Sequence, residues 1–330
     1  MERLKWIDLL RGFCMMAILW FHTEMYYVGY DKTPYAFYVG DVLAVFFFIS
    51  GYLMYQHEPF DIKKKLKSII RYLILPYFIF TSVIAFTKYL FLHHDNIYNI
   101  IYEILIGHAS WFIAALIISQ LLFILLLLIT KRNIIYLALI SCCSLVLSYF
   151  IGNSYRPSPL FFEQNIWHFN EALLGCFLLF LGYVYHQYES IINIINTITY
   201  TLFLFIIVCI IKYIIYIYNI QLTLGPIIVS NYPLFIIDLL FSILLLIHIF
   251  KRLPSMKMIE WTGSHSIAYY FICGGIPFMI SYLFCKIGFT YLNFISLVCA
   301  FIVVYIISTI ITWLIYKYTP IFKKIKNAGD

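Results

Sequence analysis

The sequence predicts an all-α polytopic membrane protein, a bundle of about ten transmembrane helices with short loops. Three observations predict it. Of the 330 residues, 64% are hydrophobic and 11% charged, with mean hydropathy +0.93; a soluble domain carries about 25% charge. The apolar residues form continuous runs of membrane length, without the period-two alternation of an outer-membrane barrel. Lys and Arg gather in the short breaks between runs, where topology is encoded.

Ten runs are read as spans, at 7–28, 41–56, 70–91, 110–130, 134–151, 166–186, 196–218, 231–250, 262–284 and 291–316. The first is too long, and lacks the small-residue cleavage site, for a removable leader, so it is expected to remain a span. The second and fifth are short. The third follows the basic stretch Lys63, Lys64, Lys65, Lys67 and Arg71 and carries Pro76, which predicts a kink. The fourth begins near His108, Ser110 and Trp111, polar and aromatic groups of an interface.

The sixth carries Glu171 and the eighth Asp238. A carboxylate in a span needs a partner or water. Lys212, in the seventh, is a possible counter-charge, with pairing the expected role of Asp238 and an acceptor cavity a possible place for Glu171. The ninth opens on Gly263, Ser264 and Ser266, small polar residues suited to a helix start and to close helix contact.

The longest outer loop runs from Gly152 to Asn165 and includes Arg156, Pro157 and Pro159. No linker or second domain is evident, so residues 1–330 are read as one domain. An even number of spans puts both termini on one side. With that side cytoplasmic, only Lys32, Lys88, Arg156, Lys212 and Lys286 of the 22 Lys and Arg fall outside it or in the outer half. That bias predicts a multi-pass protein of the cytoplasmic membrane with both termini inside.

The net charge of +7 lies in these loops and does not point to nucleic acid. Six of the eight cysteines are scattered through apolar runs, Cys142 and Cys143 are adjacent, and none has metal-ligand spacing. His248 and His265 lie near the cytoplasmic surface and are expected to do no chemistry.

The first span holds Asp8, Arg11, His22 and Glu24. Ionisable groups are expensive in hydrocarbon, so a span that keeps several is a site hypothesis. Arg11 and His22 are eleven residues apart, about three helical turns and about 16 Å, on one face. Asp8 is one turn before Arg11 and can pair with it. One face thus offers a cation near the surface and an imidazole deeper in, which suits a long ligand with an anionic head and a reactive tip. The alternative is an Arg11 that snorkels to headgroups and a His22 that satisfies another helix.

The D-x-x-R-G run at Asp8 to Gly12, the histidine eleven residues after the arginine, and FFFISGYL at Phe46 to Leu53 resemble the membrane acyltransferase-3 family. So do Arg71 before Pro76-Tyr77, SWF at Ser110 to Phe112, and Gly263, Ser266 and Tyr270 in order. Together they cover most of the chain. The resemblance implies transfer of an acyl group, usually acetyl, from acyl-CoA to an envelope carbohydrate or lipid-linked glycan. No permanently bound cofactor is implied; acetyl-CoA is the donor substrate.

It further implies that His22 is the essential histidine, a general base or acyl relay. Arg11 would place acyl-CoA, with Arg71 and Lys67 assisting. Asp8, Glu24, Ser50, Gly51, Trp111, Glu171, Ser266 and Tyr270 would support the site. Relatives often carry a late ninth-span histidine where this chain has Cys273, so that role does not carry over. The competing class is a transporter or flippase of a polysaccharide intermediate; the absence of an internal repeat weighs against it.

Overall fold

The computed structural model describes residues 4–56, 60–92, 96–155, 165–195 and 197–319. Arg156, Pro157 and Pro159 of the expected outer loop lie outside them. The fold is a helical bundle. Helix α1 (Lys5–Thr23) continues as one π-helical turn to Val28, and α2 (Val39–Tyr52) follows. Next, α3 (Ile62–Ile69), a π-helical turn (Ile70–Ile74) and α4 (Leu75–Leu92) form one continuous rod. The expected basic loop is therefore a helix, started by the Asp61 side chain accepting from the Lys64 amide at 3.0 Å. Pro76 cannot donate to an i−4 carbonyl, and the wide π turn lies just before it, where the kink was expected.

The chain goes on through α5 (Ile97–Leu105), α6 (Trp111–Ile129), α7 (Ile134–Tyr155), α8 (Phe169–Gln187), α9 (Glu189–Ile195) and α10 (Ile198–Ile217). A small antiparallel hairpin, β1 (Leu222–Leu224) and β2 (Ile227–Val229), pairs Leu222 with Val229. Then come α11 (Tyr232–Phe250), α12 (Lys257–Ser264), α13 (Ser266–Ile272), α14 (Gly275–Lys286) and α15 (Phe294–Tyr318). The hairpin and the short α5 and α9 were not expected from the sequence.

Among the described residues, seven helical stretches are long and apolar enough to cross a membrane. The broken pair α13 and α14, bent by 46°, makes an eighth if it is one span. The other two expected spans are α2, of 14 residues, and α1, which carries Lys5, Asp8, Arg11 and His22. The chain is an all-α polytopic membrane protein, and among the described residues seven helical stretches, or eight with the bent pair, qualify as spans by length and composition.

The core sits around α1, α2 and α8. The α8 span is 78% buried, against 17% for α10 and 22% for α7, so α8 is central and those two face outward. Small residues set how closely the inner helices meet. A Cβ at Gly51 would run into the Leu179 backbone, and one at Gly182 into that of Phe48, so α2 and α8 cross backbone to backbone.

Polar pairs tie the outer helices to this core. Lys212 on α10 donates to Asp41 of α2 at 2.6 Å, to Asp238 of α11 at 2.7 Å and to the Ala36 carbonyl at 3.0 Å. The expected Lys212–Asp238 pair is present, with Asp41 as a third member. Elsewhere, Lys251 donates to Glu189 at 2.6 Å, and the Tyr52 hydroxyl donates to the same carboxylate at 2.5 Å. That cluster fastens the C-terminal ends of α2 and α11 to α9.

Candidate functional site

Two cavities lie along α1. The first, about 480 Å³, is lined by Arg11 and Met15 of α1, with Ser50, Lys65, Gln120 and Ser266 among its polar groups. The second, about 880 Å³, is lined by His22 and Tyr26 and by Glu103, His108 and Trp111 across from them. Arg11, Met15, His22 and Tyr26 fall within about 60° of one another around the helix, so α1 is a wall common to both. Tyr270 lines both cavities. Its ring packs 5.1 Å from Phe112, which lines the first, so these rings form the partition between them.

The first cavity owes its form to one helix crossing. A Cβ at Gly12 would meet the Ile259 carbonyl, and one at Gly263 the Asp8 carbonyl. Only with glycine at both places can α12 lie this close to α1, which brings Ser264 and Ser266 to the Arg11 cavity. Asp8 is buried at this crossing, one turn before Arg11.

The basic helix α3 supplies Lys65, Ser68 and Ile69, and the π-helical turn that continues it supplies Tyr72. Their spacing of three, four and seven residues is one helical face. Lys67 points elsewhere and is exposed, and Arg71, four residues on, lies over the Tyr72 ring at 5.6 Å; neither lines the cavity. The sequence reading placed the cation of this helix on Lys67 and Arg71, whereas the structure brings Lys65 to Arg11. The signal for Lys65 was the stripe of small and apolar residues on its face. Gln120, buried on α6, was missed because a lone polar residue in an apolar run has no spacing to read.

In the second cavity, the His22 ring makes no hydrogen bond or ion pair among the described residues. Its ring contacts are Phe21, at 5.5 Å, and Tyr26, stacked at 6.2 Å. Its imidazole stands on the wall of the cavity. Trp111 and Cys273 line the same cavity. His108, read as an ordinary interfacial group, lines it too.

Three other expected members, Glu24, Glu171 and Gly51, stand apart from the cavities. Glu24 is buried and ties down the following loop, accepting from Trp20 Nε1 at 2.8 Å, the Thr33 amide at 3.3 Å and the Thr33 hydroxyl at 3.4 Å. Glu171 is fully buried behind the second cavity instead of lining it. It accepts from Asn165 Nδ2 at 2.6 Å and from the Ile227 amide at 3.2 Å, so it anchors the hairpin and the turn before α8. Ser50 lines the first cavity, but its hydroxyl donates to the Phe46 carbonyl at 2.8 Å. Gly51 serves the α2–α8 crossing. His248 and His265 line neither cavity.

Chemically, the arrangement offers a cationic chamber, a chamber with an unengaged imidazole, and a tyrosine between them. The sequence matches the acyltransferase-3 family, described as an acyltransferase domain, over residues 4–317. No match is found among curated proteins or among solved structures. The matched stretch spans nearly the whole chain and takes in every residue of both cavities. The chain belongs to the acyltransferase-3 family.

Proposed function

We propose that this membrane acyltransferase moves an acyl group, acetyl in the first instance, from acyl-CoA to a hydroxyl of a cell-envelope carbohydrate. The observation that carries the reading is the pair of cavities on one face of α1, one holding Arg11 and Lys65, the other His22, meeting at Tyr270.

CoA carries its charge on phosphates at one end and the thioester at the other. Two cations fit the phosphates, since charge-assisted hydrogen bonds to phosphate are among the strongest available. The pantetheine arm then spans the distance of about 16 Å between Arg11 and His22. The carbohydrate enters the second cavity. His22 takes the proton from its hydroxyl as that oxygen attacks the thioester carbonyl carbon. The new C–O bond forms, the C–S bond breaks, and CoA leaves as a thiolate that takes up a proton. Tyr270 stands where the acyl group passes.

In this reading the Arg11 end faces the cytoplasm, where acyl-CoA is made, and the acceptor comes from the opposite side. The protein would then reside in the cytoplasmic membrane with both termini inside. The acyl group crosses and CoA does not.

The donor half is tested by titrating acetyl-CoA into the purified protein. Lys65→Ala is expected to weaken binding roughly tenfold, the scale of one lost hydrogen bond to a charged group. Lys67→Ala, on the exposed side of the same helix, is expected to leave it within twofold. Equal effects of the two variants would contradict donor binding in the Arg11 cavity.

A further inference from the structure

We propose that α5 and the turn after it form a subsite that reads a neutral pyranose, with Asn99, Glu103 and His108 as its polar edge and Trp111 as its platform. This rests on the reading of the His22 cavity as the acceptor's.

Helix α5 is two-faced. Asn99 and Glu103, four residues apart, both line the second cavity. Tyr98, Ile101 and Leu105 on its other side are 76%, 49% and 58% exposed, an apolar surface turned away from the bundle. Ile100 and Ile104 pack this helix on the core, and Asn99 and Glu103 stand beside them on the side that borders the cavity. Gly107, at φ 91°, turns the chain from α5 into the next helical turn, and a Cβ there would meet Trp167. That turn delivers His108 to the same wall.

His108 is fixed from two sides. Its Nε2 lies 3.4 Å from the Asn165 carbonyl oxygen. Its Nδ1 lies 3.4 Å from a Glu103 oxygen. His108 is 11% exposed and Glu103 49% exposed, which leaves the carboxylate open to a ligand while the ring holds it in place. The His168 ring, 5.2 Å away, backs His108 on the side away from the cavity.

A carboxylate with two oxygens accepts from adjacent hydroxyls, an amide donates and accepts, and the Trp111 face takes the C–H face of a sugar ring. That set suits an uncharged ring with neighbouring hydroxyls. A uronic acid would bring its own carboxylate against Glu103, where like charge opposes binding.

The test is transfer from radiolabelled acetyl-CoA by purified full-length protein to neutral oligosaccharides and to matched uronate-containing ones, with donor hydrolysis followed alongside. Glu103→Gln keeps the shape and removes the charge, and Asn99→Ala is a second, independent probe. Each is expected to raise KM for the neutral acceptor about tenfold, with acetyl-CoA affinity and donor hydrolysis unchanged. Acceptor KM within twofold of wild type in both variants would overturn the subsite and leave the proposed function standing. So would equal use of uronate and neutral sugar, or intact donor hydrolysis with no transfer to any neutral sugar. Absence of both hydrolysis and transfer in the wild type would overturn the reading of the cavity itself.

Discussion

His22→Ala is expected to lower acyl transfer by about 10²- to 10⁴-fold, the usual worth of a positioned general base, with acetyl-CoA affinity within twofold of wild type. The separation follows from geometry. His22 lines the second cavity and Arg11 and Lys65 line the first, so removing the imidazole leaves the cationic chamber intact. Among the described residues the ring makes no hydrogen bond, so its loss leaves no polar group orphaned, and membrane insertion and thermal stability should hold. Steady-state kinetics with a donor titration reads both quantities. A variant that transfers normally would end the case for His22. A variant that loses donor binding along with transfer would move the base's role to donor placement.

Lys212→Ala is expected to be the most damaging change away from the cavities, at about 3–5 kcal/mol. Lys212 holds Asp41 and Asp238 at 2.6 and 2.7 Å, and those two residues are 6% and 2% exposed. Without the ammonium, two carboxylates face each other in an apolar interior, with no counter-charge among the described residues near them. Because a buried ion cluster contributes little net stability over neutral groups of the same shape, Lys212→Met combined with Asp41→Asn and Asp238→Asn should recover most of the loss. Thermal unfolding of the purified proteins in one detergent gives the comparison. A single variant as stable as wild type would show that the triad does not hold α2, α10 and α11 together. A triple variant no better than the single one would assign the loss to packing of the lysine chain.

Much of the site was legible because it lies on one helix. Arg11 and His22 share a face by simple periodicity, and no knowledge of the other helices is needed to see it. The α1 and α12 glycines were legible as small residues, though not as partners, since nothing in the sequence says which helices cross. The Lys212–Asp238 pair could be read from opposite charges in neighbouring spans, but Asp41 could not, since it falls at the edge of a run and looks like a loop residue.

The basic segment before the third span was misread for a physical reason. As a loop, any of its cations can reach a phosphate, and Arg71 looked best placed. As a helix continuous with α4, it turns one face inward, and that face carries Lys65, Ser68 and Tyr72. Glu171 was expected at an acceptor cavity because a carboxylate in a span asks for a purpose. Its purpose is the hairpin at residues 222–229, which brings the Ile227 amide to it. Helix α5 went unseen because nine residues between longer runs read as a loop, and so the polar wall opposite His22 went unseen with it.

The most direct measurement is sided transfer in proteoliposomes. Radiolabelled acetyl-CoA is supplied only on the side of the Arg11 cavity and the carbohydrate only on the other. The account predicts label on the carbohydrate, His22-dependent, with CoA remaining on the donor side. Label that appears only when donor and acceptor share a compartment, or passage of unmodified glycan without acylation, would contradict it.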